Sequence, residues 1–195
     1  SFSYKIRGAY YLITKLLESK TVKGLVTASA GNHAQGVSLS AKKLGLPAIM
    51  VMPKTTPEIK IDAVRAMGAN VYLHGNTYDE ASVLAKTIAK DKKFDLIPPY
   101  DDQYIIAGQG TVGMEILRQH KGNVDFIFLP VGGGGLIAGV AAYVKKINTK
   151  TKIIGVEPEE APSMTAALRA RKPVSLDKIG IFADGAAVKR VGTIN

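Results

Sequence analysis

The most constraining feature of this sequence of 195 residues is a regular alternation of short apolar runs with helix-period segments. Short apolar runs of the kind that favours strands lie at 25–29, 48–52 and 125–129. Segments such as 9–17 and 136–146 instead repeat apolar residues roughly every three or four positions, which is typical of helices. Strands that alternate with helices form parallel sheets covered by helices. We therefore expect an α/β protein.

Turn residues divide the rest of the chain in the same way. Further helices are predicted at 30–44, 58–67, 79–89, 105–120 and 163–170, and further strands at 70–73, 94–97 and 152–156. Thr77, with Glu80 three residues later, has the spacing of a capping box at a helix start. Glycines at 108, 110 and 113 are expected to loosen the first part of their helix and to mark a nearby domain boundary.

Composition excludes several classes of protein. Cysteine is absent, which excludes disulfides and thiolate metal sites and fits a reducing compartment. No apolar run reaches the roughly eighteen residues of a membrane span, and no signal-peptide pattern is present at the start. The net charge is +10, but the basic residues are spread along the chain without interleaved aromatic residues. We expect a solvated basic surface that favours anionic small molecules and no nucleic-acid partner.

Four consecutive glycines, Gly132–Gly135, separate a predicted strand from a predicted helix. Glycines at such a junction can turn several backbone N–H groups toward one anion, such as a phosphate. A tight turn that binds nothing is the alternative. The same stretch, read from Gly133 to Ala138, also fits the Gly-x-Gly-x-x-Ala dinucleotide fingerprint, and Glu157 follows at about the distance of a ribose-binding acid. A nicotinamide-dependent oxidoreductase is therefore a second interpretation.

Two other stretches carry candidate chemistry. Ser3–Ala9 places Lys5 beside Tyr4, ahead of a predicted helix, and a lysine with a lowered pKa is a nucleophile toward aldehydes. Ser29–Gly36 offers backbone N–H groups, a hydroxyl and an amide after a strand, which suits a carboxylate and a cofactor hydroxyl. A surface lysine and an ordinary capped turn with a structural histidine, His33, are the competing interpretations.

These stretches together resemble one enzyme family. Ser3–Ala9, Ser29–Gly36, Gly108–Ile116 and Gly132–Gly135 are similar to the threonine dehydratases (threonine deaminases), a branch of the fold-type II, tryptophan-synthase-β-like pyridoxal phosphate enzymes. The resemblance runs in register over essentially the whole chain. The loop Gly31-Asn32-His33 is unlike the Gly-Asn-Thr loop of cysteine synthases, which favours the dehydratase branch.

The resemblance implies two parallel-sheet, three-layer (αβα) domains. The smaller domain would comprise residues 9–103 and carry the asparagine loop. The larger domain would comprise residues 1–8 and 104–195, carry the lysine segment and the glycine loop, and be incomplete here. Relatives have further residues before the lysine and after Asn195, so we expect the chain to be a fragment that is unstable or weakly active in isolation.

The resemblance also implies the residues of the site. The cofactor would be pyridoxal 5'-phosphate, with Lys5 both attached to it and acting as the catalytic base. The other implied cofactor residues are Tyr4 against the cofactor, Asn32 at its phenolic oxygen, and Gly132, Gly133, Gly134, Gly135 and Leu136 at its phosphate. The implied substrate residues are Ser29, Ala30, Gly31 and His33. Ser163 stands where metal-binding relatives would carry a carboxylate, so no metal site is expected.

The implied reaction is the α,β-elimination of L-threonine to 2-oxobutanoate and ammonia, in isoleucine biosynthesis, with serine as a secondary substrate. Serine racemases carry a serine where this chain has Ala30, so racemisation is not expected. By the same resemblance we expect a homo-oligomer, a dimer or tetramer, in the cytoplasm or in an organelle matrix or stroma. An inactive fragment or an interaction module remains an alternative, beside the nicotinamide-dependent oxidoreductase.

Overall fold

A computed structural model describes residues 3–180 and 182–195 of the chain. The chain divides into two compact units, Ser1–Pro99 and Tyr100–Asn195. The elements of the first unit are α1 (Lys5–Ser19), β1 (Leu25–Ala28), α2 (Asn32–Leu44), β2 (Ala48–Met52), α3 (Glu58–Arg65), β3 (Asn70–Leu73), α4 (Tyr78–Lys92) and β4 (Asp95–Leu96). Those of the second unit are α5 (Gln103–Gln119), β5 (Phe126–Pro130), α6 (Gly135–Ile147), β6 (Lys152–Val156) and α7 (Ser163–Ala170).

This order of helices and strands confirms the predicted alternation and the α/β class. The unit boundary lies at Pro99 and Tyr100, close to the predicted end of the smaller domain at residue 103. The assignment of residues 1–8 to the larger domain stays a prediction, and its first two residues lie outside the described part of the chain. None of the helices in the described ranges combines the length and the apolar character needed to cross a membrane.

The first unit is organised around a four-stranded parallel sheet with the strand order β3-β2-β1-β4. Every residue of β1 and β2 is buried, because helices cover both faces of these central strands. On one face Val26 and Val51 pack against the small side chains Ala81 and Ala85 of α4. The edge strand β3 is largely exposed.

The start of α4 shows how local sequence fixes an element in this unit. The Thr77 side chain accepts a hydrogen bond from the Glu80 backbone N–H, and the Glu80 carboxylate accepts one from the Thr77 backbone N–H at 2.9 Å. Both halves of the capping box are therefore present, which confirms the prediction from the sequence spacing.

The second unit contains a parallel pair, β5 and β6, in which Ile127 lies beside Ile153 and Leu129 beside Gly155. Burial alternates along β5: Ile127 and Leu129 are buried, whereas Phe126 and Phe128 are 51% and 65% exposed. The two phenylalanine rings stack on each other, with centroids 6.3 Å apart. One face of this pair is therefore apolar and exposed, in contrast to β1 and β2 in the first unit.

Helices α5 and α6 pack closely in the second unit. A Cβ placed on Gly110 would lie 2.9 Å from the Gly139 carbonyl oxygen, closer than real Cβ atoms approach such an atom. Helix α5 runs without a break through Gly108, Gly110 and Gly113, the glycines that the sequence suggested would loosen it. The absence of side chains lets two helix backbones approach each other, which a local sequence pattern cannot distinguish from flexibility.

Candidate functional site

Lys5 is the first residue of α1, not a residue ahead of the helix as the sequence suggested. Its Nζ donates a hydrogen bond of 2.8 Å to the Pro99 carbonyl oxygen and lies 5.6 Å from the centroid of the Tyr4 ring. Burial lowers the pKa of Lys5 to about 8 from its ordinary value of 10.5. A considerable fraction of this amine is therefore neutral near physiological pH and able to attack an aldehyde or accept a proton.

The segment Ile97–Pro99, which accepts the hydrogen bond from Lys5, also accepts hydrogen bonds from Thr27 in β1 and from His33 in the asparagine loop. The Ile97 carbonyl oxygen accepts hydrogen bonds from the Thr27 hydroxyl at 2.7 Å and from His33 Nε2 at 3.0 Å. Ile97 and Pro99 thus connect β1, α2 and the start of α1 through two carbonyl oxygens. Sequence reasoning missed this segment, although the pair Pro98-Pro99, which has no backbone N–H to donate, was a visible signal.

His33 is a neutral structural residue in this arrangement. Burial and the nearby charge of Lys5 lower its pKa to about 3, and they outweigh the hydrogen bond with Ile97, which raises it. A carbonyl oxygen only accepts hydrogen bonds, so Nε2 carries the proton and Nδ1 carries the lone pair. Within the described residues, Nδ1 is buried without a hydrogen-bond partner. The side chain is therefore not a base at neutral pH, while its backbone N–H belongs to the first turn of α2.

The asparagine loop presents free donors at the start of α2. Gly31 is the N-cap, and its backbone N–H donates to the Ser29 hydroxyl at 3.2 Å. No group in the described part of the chain accepts a hydrogen bond from the backbone N–H of Asn32, His33 or Ala34. The Asn32 side chain is exposed. The helix dipole and these free N–H groups favour a bound anion such as a carboxylate, and the role expected for this loop stays a prediction.

The glycine loop lies in the second unit, between β5 and α6. Gly133, Gly134, Gly135 and Leu136 are buried, yet no described residue accepts a hydrogen bond from their backbone N–H groups. Buried N–H groups are nearly always paired, so this row of unpaired donors at a helix N-terminus fits an anion such as a phosphate.

Two of these glycines are required by the structure of the loop itself. Gly134 has φ +97°, in the left-handed region that side chains other than glycine rarely adopt. A Cβ on Gly133 would overlap the ring of Tyr100. The loop is therefore shaped by its own packing as well as by the requirements of a ligand.

Glu157, the acid that supported a nicotinamide cofactor, has another role. Its carboxylate accepts hydrogen bonds from the backbone N–H of Met164 at 2.7 Å and from the backbone N–H and hydroxyl of Thr165, both at 2.8 Å. Glu157 therefore caps the N-terminus of α7. A carboxylate that already accepts hydrogen bonds from three donors is a poor ribose-binding group. The nicotinamide interpretation is therefore left without a ribose-binding acid at this position.

The structure distributes the expected site residues over both units. Tyr4, Lys5, Ser29, Ala30, Gly31, Asn32 and His33 belong to the first unit, and Gly132, Gly133, Gly134, Gly135 and Leu136 to the second. Within the first unit, Lys5 lies close enough to His33 for its charge to lower the histidine pKa. Within the second unit, the glycines form one continuous loop with free donors. An amine with a lowered pKa is suited to an aldehyde, and a glycine-rich helix start is suited to a phosphate.

Comparison with known proteins agrees with this chemistry. The family model described as "Pyridoxal-phosphate dependent enzyme" matches residues 1–195, so the chain belongs to that family. Pyridoxal phosphate, the cofactor of this family, contains an aldehyde and a phosphate. The family assignment confirms the expected cofactor class and does not support the nicotinamide interpretation.

The similarity extends to particular relatives. The chain is 56% identical over 191 residues to "Threonine dehydratase biosynthetic, chloroplastic" of Arabidopsis thaliana, which covers 98% of this chain and 32% of that protein. It is 53% identical, with a TM-score of 0.93, to the solved processed form of threonine deaminase isoform 2 from Solanum lycopersicum, over 98% of this chain and 55% of that one. A maize serine racemase is 36% identical with a TM-score of 0.92, over 97% of this chain and 57% of that one. The chain thus spans about a third of that Arabidopsis relative and just over half of these solved structures, and the neighbours confirm the expected fold.

Proposed function

We propose that the protein to which this chain belongs catalyses the α,β-elimination of L-threonine to 2-oxobutanoate and ammonia, with serine as a secondary substrate. The observation that carries the proposal is the Lys5 amine, held on the Pro99 carbonyl with a pKa of about 8, in a chain 56% identical to a threonine dehydratase. The reaction is balanced without an oxidant, because the water lost with the β-hydroxyl is taken up again when the product imine is hydrolysed.

Lys5 is proposed to perform the proton transfer. When bound, pyridoxal phosphate supplies the electron sink that makes the substrate α-proton acidic. The neutral Lys5 amine accepts that proton at Nζ, and burial assists because it disfavours the charged ammonium before the reaction. Pro99 provides a carbonyl acceptor for the resulting ammonium, so one of its three N–H donors already has a partner within 2.8 Å.

Other residues are proposed to hold the charged and polar groups of the ligands. The free backbone N–H groups of Asn32, His33 and Ala34 suit the substrate carboxylate, and Ser29, Ala30 and Gly31 border the same helix start. The exposed Asn32 amide is assigned to the phenolic oxygen of the cofactor and Tyr4 to a packing contact with it. The N–H groups of the loop from Gly132 to Leu136 are assigned to the phosphate, with the α6 dipole favouring its negative charge.

The place of the protein in metabolism is part of the same proposal. The relatives include biosynthetic threonine dehydratases, among them a chloroplastic one and a bacterial one, which supports a role in isoleucine biosynthesis. We propose a compartment without membrane insertion, either the cytoplasm or an organelle matrix or stroma, and a homo-oligomeric parent protein. Ala30 lacks the hydroxyl that racemases of this fold carry at this position, which supports elimination over racemisation.

The test is addition of pyridoxal phosphate to the purified protein, with and without the Lys5→Ala substitution. We expect visible absorbance of the attached cofactor in the native protein, its loss in Lys5→Ala, and its retention in the control Lys23→Ala, which changes an exposed lysine of the same unit. Threonine-dependent release of 2-oxobutanoate, measured on the longer parent protein, completes the test. Attachment of the cofactor in Lys5→Ala would contradict the assignment of Lys5.

A further inference from the structure

The peptide between Gly133 and Gly134 is held from outside the glycine loop. The Gly133 carbonyl oxygen accepts a hydrogen bond of 3.0 Å from the Gly192 backbone N–H and a second, from the side-chain amide of Asn195. Both donors belong to the segment Arg190–Asn195, which we call the tail. Two hydrogen bonds on one carbonyl oxygen fix the plane of that peptide group more firmly than either bond alone.

The orientation of this carbonyl determines the orientation of the next N–H. No described peptide bond is cis, and in a trans peptide the carbonyl and the following N–H point in opposite directions. When the tail holds the Gly133 carbonyl on one side, the Gly134 N–H is directed to the other side of the loop. That N–H is one of the buried donors without an acceptor in the described chain. The tail therefore orients a donor that it does not itself contact.

The tail is held in turn by Asp101. Its Oδ1 accepts the backbone N–H of Thr193 at 2.8 Å and of Ile194 at 3.1 Å, and its Oδ2 accepts the Thr193 hydroxyl at 2.9 Å. Tyr100 adds a hydrogen bond of 3.1 Å from its hydroxyl to the Arg190 carbonyl. The carboxylate thus accepts three hydrogen bonds from one short piece of chain more than ninety residues away.

The charge state of Asp101 agrees with this role. Burial raises its pKa, but the hydrogen bonds from Thr193 and Ile194 and the charge of Arg190 outweigh burial and lower the pKa below its ordinary value. The carboxylate therefore stays ionised over the working pH range of most enzymes. An ionised carboxylate accepts stronger hydrogen bonds than a neutral acid does.

We propose that Asp101 is a positioning residue: it holds the tail on the glycine loop and thereby directs the Gly134 N–H toward the phosphate of the cofactor. Asp101 acts through Thr193, Ile194 and the Gly133 peptide group, and it does not itself contact the ligand. The inference rests on the proposed function, because it takes the glycine loop to be the phosphate site. It adds that the phosphate site depends on a carboxylate outside the loop.

The experiment compares two aldehydes that differ only in the phosphate, pyridoxal phosphate and pyridoxal. Their dissociation constants are measured by absorbance titration on the native protein and on Asp101→Ala. We expect Asp101→Ala to weaken pyridoxal phosphate about tenfold, the value of one well-placed hydrogen bond, and to leave pyridoxal unchanged. Asp101→Asn keeps an oxygen acceptor for the two backbone N–H groups and should restore most of the affinity. Asp177→Ala, an exposed aspartate of the same unit, is the matched control.

The outcomes separate this inference from the proposed function. Native protein that binds no pyridoxal phosphate contradicts the function and the inference together. Native protein that binds it, combined with an Asp101→Ala variant that weakens both aldehydes equally or neither, contradicts the inference alone. If Asp101→Ala does not fold, Thr193→Val removes only the hydroxyl bond to Oδ2 and must still weaken pyridoxal phosphate relative to pyridoxal.

Discussion

The two groups of candidate residues work in different ways. In the first unit the chemistry is that of a side chain: the Lys5 amine, whose pKa is lowered by burial and whose Nζ is held by the Pro99 carbonyl. In the second unit the candidate binding groups are backbone N–H donors of residues that mostly lack side chains, and the side chains that shape the loop belong to Tyr100, Asp101 and the tail.

This difference predicts which substitutions will weaken each kind of site. A side-chain site depends on one named residue, and its loss removes the chemistry. A backbone site has no such residue, so substitutions weaken it either by straining the loop or by releasing what holds it.

Lys5→Ala has the largest expected effect. Removing the amine removes both the attachment point and the base, so threonine-dependent activity of the parent protein should fall by at least about 10²–10⁴-fold. Binding through the phosphate should persist, because the glycine loop is unchanged. Equilibrium dialysis with pyridoxal phosphate checks this. Loss of all binding in Lys5→Ala would show that the two groups of residues are not separable.

Gly134→Ala tests the backbone site directly. The left-handed backbone costs a residue with a Cβ about 1–2 kcal/mol, and the new Cβ would lie 2.8 Å from Met164 Cε. We expect pyridoxal phosphate to bind about tenfold more weakly. Gly185→Ala is the matched control, because a Cβ at Gly185 meets no atom within 4 Å. Equal effects of the two substitutions on the dissociation constant would contradict a specific role for Gly134.

The pH dependence of cofactor attachment reports on Lys5. Only the neutral amine attacks the aldehyde, so the attachment rate should rise with pH and level off above about 8, rather than continue to the ordinary value of 10.5. The same shift makes the folded chain release its Lys5 proton before the unfolded chain does. This group therefore adds to the unfolding free energy as pH rises from about 8 to 10.5. Stopped-flow absorbance measures the rate, and an inflection near 10.5 would contradict the burial of the amine.

Thr27→Val has the smallest expected effect. It removes one buried hydrogen bond to the Ile97 carbonyl, which keeps its bond from His33, so the free energy of unfolding should fall by about 1 kcal/mol. Urea unfolding checks this value, with Thr27→Ser as the control that keeps the hydroxyl. A Thr27→Val protein as stable as the Thr27→Ser protein would show that the Thr27 hydroxyl adds no stability to the Ile97 segment.

Much of the molecule could be predicted from local sequence. The order of helices and strands, the parallel sheets and the Thr77 capping box follow from patterns only a few residues long. The glycine loop and the asparagine loop were visible because strand-to-helix junctions are marked by glycine, serine and asparagine. The nature of the cofactor came from the resemblance and the family model, because glycines alone suit several phosphate ligands.

The tertiary structure decided what these local patterns do. Pro99 lies ninety-four residues from Lys5, and Asp101 lies ninety-two residues from Thr193, so no window of sequence shows either pair. The contact between Lys5 and Pro99 forms because β4 pairs with β1. This pairing brings the Ile97–Pro99 segment to the end of the sheet where α1 and α2 begin. The spacing of Glu157 offered it as a ribose-binding acid in the alternative interpretation, and folding instead places it at the α7 N-terminus. The sequence by itself determined which groups were available, and only long-range packing determined which partners they met, because hydrogen-bond geometry depends on positions in space.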